Sequence, residues 1–263
     1  MPPINVVVNG ALGKMGQQVL TAVSAEEDMH AIAGVDQAAK NDTLSIPGLP
    51  DQIPLSTSLN NVPQDVQVVV DFTNAEGAST VIHTAAPRKI NVVIGSTGIP
   101  ESTLNEADKL ASEYSVGIII APNFAMGAVL MEHLAKIAAP FFDYADLTET
   151  HHEKKIDAPS GTALAIAKTT AEGKGGSFNA PPPEKELVPG TRGGILKGVT
   201  IHSARMPGRV AHHELIFGAL GQTLTIRHDS ISRDSFMPGV LMAVREAVKR
   251  PGLTVGLDKI LGL

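Results

Sequence analysis

Short, largely apolar runs of strand length punctuate the first half of the chain, at residues 4–8, 30–35, 66–70, 91–94 and 117–120. Runs of this kind suit strands buried on both faces of a sheet. The segments 17–24, 76–86, 101–114 and 126–138 between or after them read as helices. Strand alternating with helix predicts a doubly wound parallel sheet. Residues 41–65, rich in Pro, Asn, Asp and Ser, read as loop.

The pattern changes after about residue 139. Residues 144–150 read as a strand and 160–171 as a helix. The stretch 173–198 is rich in Gly, Pro and Lys, includes Pro181-Pro182-Pro183, and is expected to be a long loop. Three runs of strand character follow at 199–204, 210–217 and 223–228, with no helix between them. That spacing predicts an antiparallel or mixed sheet in a second domain. A last helix over 235–250 is expected to return to the first domain. The predicted division is 1–125 with 233–263, and 126–232.

Between the first strand and first helix stands Gly10-Ala11-Leu12-Gly13-Lys14-Met15-Gly16. The spacing is one residue longer than the common dinucleotide fingerprint, in the same strand, turn, helix context. The second strand ends at Asp36, about 20 residues past the last glycine, where an acid binds ribose hydroxyls. Gln37 follows it, so a 2′-phosphate clamp would have to come from Lys14 or Lys40. Small and polar residues follow the other strand ends, as in Asp71-Phe72-Thr73-Asn74, Gly95-Ser96-Thr97-Gly98 and Ala121-Pro122-Asn123-Phe124. Ligands of open α/β sheets bind beyond those carboxyl ends. The first domain is therefore expected to be Rossmann-like and to bind a dinucleotide.

The densest chemistry lies in His151-His152-Glu153-Lys154-Lys155-Ile156-Asp157-Ala158-Pro159-Ser160-Gly161-Thr162-Ala163. Two imidazoles and two ammonium groups precede a helix start in which Asp157 and Ser160 are capping residues and Pro159 suits the first turn. A helix N-terminus attracts anions, and Gly161 lets a ligand approach the backbone. This is a site for carboxylates or phosphates beside a group that titrates near neutral pH. A solvated basic turn before an ordinary helix is the plainer alternative.

Composition narrows the field. Of 263 residues, 21 are basic and 27 acidic, for a net charge of −6, which argues against wholesale nucleic-acid binding. Apolar residues make up 43%, the level of a globular chain. There is no cysteine, so disulfides, thiolate metal sites and thiol catalysis are excluded. The N-terminus has no signal-peptide pattern and no apolar run is long enough to span a bilayer, so no membrane association and a cytoplasmic location are expected. His212-His213-Glu214 invites a metal reading, but neighbours on a strand point to opposite faces. Polar residues on a sheet face or at a subunit contact are the simpler expectation, with no metal.

The glycine turn, Asp71-Phe72-Thr73, Gly95-Ser96-Thr97-Gly98, Ala121-Pro122-Asn123-Phe124 and above all the stretch from His151 to Ala163 resemble the 4-hydroxy-tetrahydrodipicolinate reductase (dihydrodipicolinate reductase) family over nearly the whole chain. The resemblance implies reduction of a cyclic imine dicarboxylate in diaminopimelate and lysine biosynthesis. It implies His151 as general acid/base, Lys155 as proton donor in the same step and His152 as a substrate contact. Ser160, Gly161 and Thr162 would hold a substrate carboxylate. Gly10, Ala11, Leu12, Gly13, Lys14, Met15, Asp36, Phe72, Gly95, Ser96, Thr97, Ala121, Pro122, Asn123 and Phe124 would hold NADH or NADPH. It further implies a homotetramer built through the second domain, a smaller α+β substrate and oligomerisation domain. Members favouring the phosphorylated cofactor often carry Arg in the glycine turn, or Arg or Lys after the strand-two acid. Lys14 and Gln37 stand there in this chain. The alternatives are another NAD(P)-dependent reductase of a small carboxylic acid, or a dinucleotide-sensing regulator.

Overall fold

The structure is a computed structural model and describes every residue except Met1, Pro47, Leu49 and Pro50. The last three fall in the loop expected over 41–65, and Met1 in the stretch searched for a signal peptide; at those positions both expectations lie outside the described residues. The chain divides into two compact units, residues 1–124 with 236–262 and residues 125–235 with 263.

The first unit is built on β1 (Ile4–Asn9), β2 (Met29–Val35), β3 (Thr43–Leu44), β4 (Ile53–Ser56), β5 (Val68–Asp71), β6 (Asn91–Ile94), β7 (Gly117–Ile120) and β13 (Gly252–Val255). They form one eight-stranded sheet in the order β13-β7-β6-β5-β1-β2-β4-β3. Every pairing is parallel except β3 with β4. Val6 to Val8 and Val68 to Val70 are fully buried, as the continuous β-branched runs require of strands covered on both faces. Helices α1 (Lys14–Ser24), α2 (Ala75–Ala85), α3 (Glu101–Tyr114), α6 (Met237–Ala247) and α7 (Asp258–Leu261) belong to the same unit. α1 buries Gly16, Val19, Leu20 and Val23, a stripe at helical spacing.

Several features of this unit depart from the expected elements. α1 begins at Lys14 rather than 17, because the glycine turn itself opens the helix. The expected loop 41–65 contains β3 and β4, and β4 joins the sheet beside β2 with Ile53 and Leu55 turned inward. β13 is unforeseen and extends the sheet beyond β7, pairing Leu253 with Ile118.

The second unit is a five-stranded mixed sheet in the order β12-β11-β8-β10-β9. Its strands are β8 (Tyr144–His151), β9 (Gly194–Leu196), β10 (Val199–Arg205), β11 (Ala211–Ala219) and β12 (Gln222–Ser230). β8 runs parallel to β10 and antiparallel to β11. β9 lies within the expected loop 173–198 and pairs antiparallel with β10. Helices α4 (Met126–Ala138) and α5 (Gly161–Lys174) supply the other half of the core, where Met131, Ala135, Ile166 and Ala167 meet Leu147, Ile201, Leu215 and Phe217. The opposite face of the sheet carries polar residues, among them Glu214, Arg227, Asp229 and His212. No helix among the described residues is long and apolar enough to cross a membrane.

Candidate active site

In the second unit, side chains alternate along β8, so Ala145, Leu147, Glu149 and His151 all turn toward the core. Near the end of the strand the core becomes polar. The Glu149 carboxylate is fully buried. His151 Nδ1 lies 2.5 Å from its Oε2. Arg205, at the end of β10, donates to both oxygens, from Nη1 at 2.9 Å and Nη2 at 2.8 Å. The Ser160 backbone N–H donates to Oε1 at 3.2 Å. A buried charge is tolerable only when paired and hydrogen-bonded in this way. Burial alone would raise the Glu149 carboxyl, but hydrogen bonds from His151, Arg205 and Ser203 outweigh it and bring it down to about 2.

Ser160 also caps α5, its Oγ accepting from the Ala163 N–H at 3.1 Å. Gly161 follows, exposed, and a Cβ built there would meet open space. The helix start can therefore be approached closely by an anion. Thr162 is half-buried in the same turn. Arg205 reaches back to the Asp157 carbonyl at 2.6 Å, so it secures the segment that leads into the helix.

His213, expected on a sheet face or at a subunit contact, lies on the buried face of the sheet. Paired with Glu149 across β11 and β8, it faces the core, while its neighbour His212 faces away and bonds Asp229 at 2.6 Å. His213 Nε2 lies 3.2 Å from Ser160 Oγ. Burial first, and then the charge of His151, push this imidazole down to about 4. Lys155 Nζ sits 2.7 Å from Asp157 Oδ1, and the ammonium holds that carboxyl below the usual range. His152 is half-buried and its carbonyl accepts from the Lys155 N–H at 3.1 Å. Of the residues predicted here, His151 and Ser160 are joined through Glu149, Gly161 and Thr162 open the adjoining helix, and Lys155 is held by Asp157. Glu149, Arg205 and His213 were not foreseen. The spacing of Glu149 two residues before His151 on a strand is the one local signal that could have disclosed any of them.

In the first unit, the carboxyl ends of β1, β5, β6 and β7 are neighbours in the sheet. The Gly10 and Ala11 N–H groups both donate to the Val35 carbonyl, at 2.8 and 3.0 Å. Gly10 has φ +79°, and a Cβ at Gly16 would stand 2.1 Å from the Gly10 carbonyl oxygen. The turn therefore closes only with glycine at both positions. Gly13 caps α1 without a side-chain hydrogen bond, and Lys14 and Met15 open the helix. Asp36 Oδ2 accepts from the Leu12 N–H at 3.0 Å, and its Oδ1 accepts from the Ala38 N–H at 2.9 Å. The ribose-binding candidate is thus also the brace of the glycine turn.

A buried carboxylate, Asp71, ties the strand tips together. It accepts from Asn9 Nδ2 at 2.7 Å, Thr73 Oγ1 at 2.8 Å and Ser96 Oγ at 2.9 Å. A Cβ at Gly95 would stand 2.1 Å from the Phe72 ring, which packs 5.7 Å from the Phe124 ring. Ala121 and Phe124 are buried, Asn123 is half-buried, and Thr97 and Pro122 are exposed at the rim. A glycine cradle that added Cβ atoms would fill, an uncapped helix start and an acid after β2 fit a dinucleotide.

A cradle suited to a dinucleotide in one unit, and a buried imidazole beside a helix start open to an anion in the other, fit the class of nicotinamide-dependent oxidoreductases. Comparison with known proteins narrows it. Residues 4–124 match the family description "Dihydrodipicolinate reductase, N-terminus", and residues 127–261 match "Dihydrodipicolinate reductase, C-terminus". A 4-hydroxy-tetrahydrodipicolinate reductase of Dehalococcoides mccartyi is 46% identical over 100% of both chains. One from Synechococcus elongatus is 41% identical over 98% of this chain and 99% of its own. A dipicolinate-bound dihydrodipicolinate reductase from a Paenisporosarcina species superposes with a TM-score of 0.86 at 36% identity, covering 98% of this chain and 99% of that one. The chain belongs to the dihydrodipicolinate reductase family, and it is an oxidoreductase that uses NADH or NADPH.

Proposed function

We propose that the chain reduces the cyclic imine dicarboxylate derived from 4-hydroxy-tetrahydrodipicolinate to tetrahydrodipicolinate, in the cytoplasm, as a step of diaminopimelate and lysine synthesis. The first unit serves as the dinucleotide-binding domain and the second as the substrate domain. The observation that carries this reading is the hydrogen-bonded joining of His151 to the start of α5 through Glu149.

Bound nicotinamide supplies the hydride for one carbon of the conjugated imine. The pyrophosphate would lie against Gly10 to Met15, the ribose at Asp36, and the remainder along Phe72, Gly95 to Thr97 and Ala121 to Phe124. The other residues of the chain manage the proton and the carboxylates. One proton goes to the atom next to the one reduced, with His151 as general acid/base and Lys155 as proton donor of the same step. Ser160, Gly161 and Thr162 hold one carboxylate at the helix start, and His152 contacts the ring. A held carboxylate together with the His152 contact presents the ring in one orientation.

A homotetramer built on the second unit is part of the same proposal. The face of its sheet opposite α4 and α5 supports this, since Ile216 and the charged pairs of β11 and β12 are available there for a second copy. Light scattering of the purified protein tests the assembly. The reaction is tested by following oxidation of NADH and NADPH with enzymatically generated substrate. Absence of turnover with either cofactor, in protein that binds dipicolinate, would remove the reductase assignment for this substrate.

A further inference from the structure

We propose that Glu149 is a positioning residue for the proton donor: its carboxylate fixes the neutral His151 ring as the Nδ1–H tautomer, leaving Nε2 as the nitrogen that gives up and regains the proton. The proposal rests on the reading of His151 as the acid, and it adds which atom acts and what sets it.

The geometry leaves few alternatives. Nδ1 of His151 lies 2.5 Å from Glu149 Oε2. An ionised carboxylate only accepts hydrogen bonds, so the nitrogen facing it must carry hydrogen in both protonation states of the ring. Glu149 is kept ionised from the far side by the two Arg205 N–H groups and by the Ser160 N–H. Arg205 Nη1 meets the same Oε2 as His151 Nδ1, and as a cation it can only donate. His213 approaches the ring edge to face at 5.3 Å with its Nε2 at Ser160 Oγ, while His151 Nδ1 is engaged by Glu149. Glu149 is fully buried and lies on the same strand face as His151, so nothing else is needed to hold the pair in register.

One carboxylate thus does two jobs. It orients the acid, and by binding the Ser160 N–H it sets the distance from the acid to the helix start that holds the substrate carboxylate. Arg205 completes the frame by bonding the Asp157 carbonyl three residues earlier. A ring fixed in both tautomer and direction has less to reorganise when the proton moves.

The test uses the full-length protein with 15N-labelled histidine. Long-range 1H–15N spectra recorded across pH report the tautomer of each ring, and the His151 signals are those missing from His151→Gln. Neutral His151 in the wild type is expected to show a protonated Nδ1 and a bare Nε2. An Nε2–H ring, or the mixed tautomer of free imidazole, overturns the proposal. In Glu149→Gln the side-chain amide can donate to Nδ1, so the ring should switch to Nε2–H, with kcat reduced on the order of 10²–10⁴-fold. Glu149→Asp, which keeps a carboxylate, should restore the Nδ1–H signature and part of the kcat. Near-normal kcat in folded Glu149→Gln, or no tautomer change, also overturns it. Should Glu149→Gln fail to fold, the wild-type spectrum and Glu149→Asp still decide. Failure of the acid reading is separate: it appears as normal turnover in His151→Gln, whatever tautomer the wild type shows.

Discussion

The imidazoles of His151 and His213 meet edge to face, with ring centroids 5.3 Å apart and planes at 77°. They are chemically alike but differently placed. His151 has a carboxylate at Nδ1, while His213 has only the Ser160 hydroxyl at Nε2 and no hydrogen-bond partner for its buried Nδ1. A charge on His213 would be poorly solvated and would oppose a charge on His151. Burial first, and then that repulsion, favour the neutral form of His213.

That asymmetry predicts a pH-dependent stability. Native His213 is pushed to about 4, by burial and then by His151, from an ordinary value of 6.5. The unfolded chain takes up a proton between those values that the native state refuses. Its contribution is therefore present above pH 6.5 and is lost as pH falls toward 4, by up to roughly 3 kcal/mol. Urea midpoints measured from pH 7.5 to 4.5 should fall in the wild type and fall less steeply in His213→Phe. An equal slope in both would assign the proton to another group.

A second prediction concerns the acid itself. His151→Gln should lower kcat by about 10²–10⁴-fold with little change in KM, since a proton donor acts in the transition state. Glutamine also leaves Glu149 with an N–H donor within reach, so the fold should survive. Circular dichroism and dipicolinate binding check that survival. Near-normal kcat would return His151 to a structural role.

The anion site gives a third. Lys155 is held 2.7 Å from Asp157 Oδ1, so its charge is already partly matched before any ligand arrives. Lys155→Ala should lower kcat and raise KM together. Thr162→Val should mainly raise KM. Asp157→Asn should loosen Lys155 and change the dipicolinate Kd by less than about ten-fold, as expected for a partly exposed pair. Titration of dipicolinate against the three variants separates these effects. Unchanged affinity in both Lys155→Ala and Thr162→Val would move the carboxylate site elsewhere.

What was legible in the sequence follows the range of the interactions involved. Residues 101–114, 117–120 and 126–138 read correctly because helical periodicity and β-branched runs are local signals. β4 was hidden because Ile53-Pro54-Leu55-Ser56 is short, carries a proline and sits in loop-like composition. β9 and β13 are three and four residues long, and only their pairing with β10 and β7 makes them strands. The stretch from His151 to Thr162 stood out because its groups are contiguous. Glu149, Arg205 and His213 reach the same place through the pairing of β8 with β10 and β11, which join residues more than 50 positions apart. Asp71 was visible within its motif, but the convergence of Asn9, Thr73 and Ser96 on it requires the sheet order.

Cofactor choice supplies the last prediction. Asp36 stands after β2, where its carboxylate would accept from ribose hydroxyls of NADH and repel a 2′-phosphate. Gln37 adds no positive charge, and Lys14 at the first position of α1 is the cation of the turn able to offset the repulsion. Exposed charge pairs contribute little, so Lys14→Ala should weaken NADPH more than NADH by no more than about five-fold. Dual use with a modest lean to NADH is the expected wild-type behaviour. Asp36 is less simple to alter, because it also accepts from the Leu12 and Ala38 N–H groups at 3.0 and 2.9 Å. Serine cannot serve both donors, and Asp36→Ser should weaken both cofactors by loosening the turn. Asparagine removes the charge but keeps only one acceptor oxygen, so it too loses one of the two backbone bonds. Asp36→Asn should therefore weaken NADH roughly ten-fold and NADPH by less. The ratio of kcat/KM for the two cofactors in the wild type and the three variants measures each term. A wild-type preference for NADPH beyond about 100-fold, a gap near 2.7 kcal/mol, would mean that Asp36 does not face the ribose and that other residues clamp the phosphate.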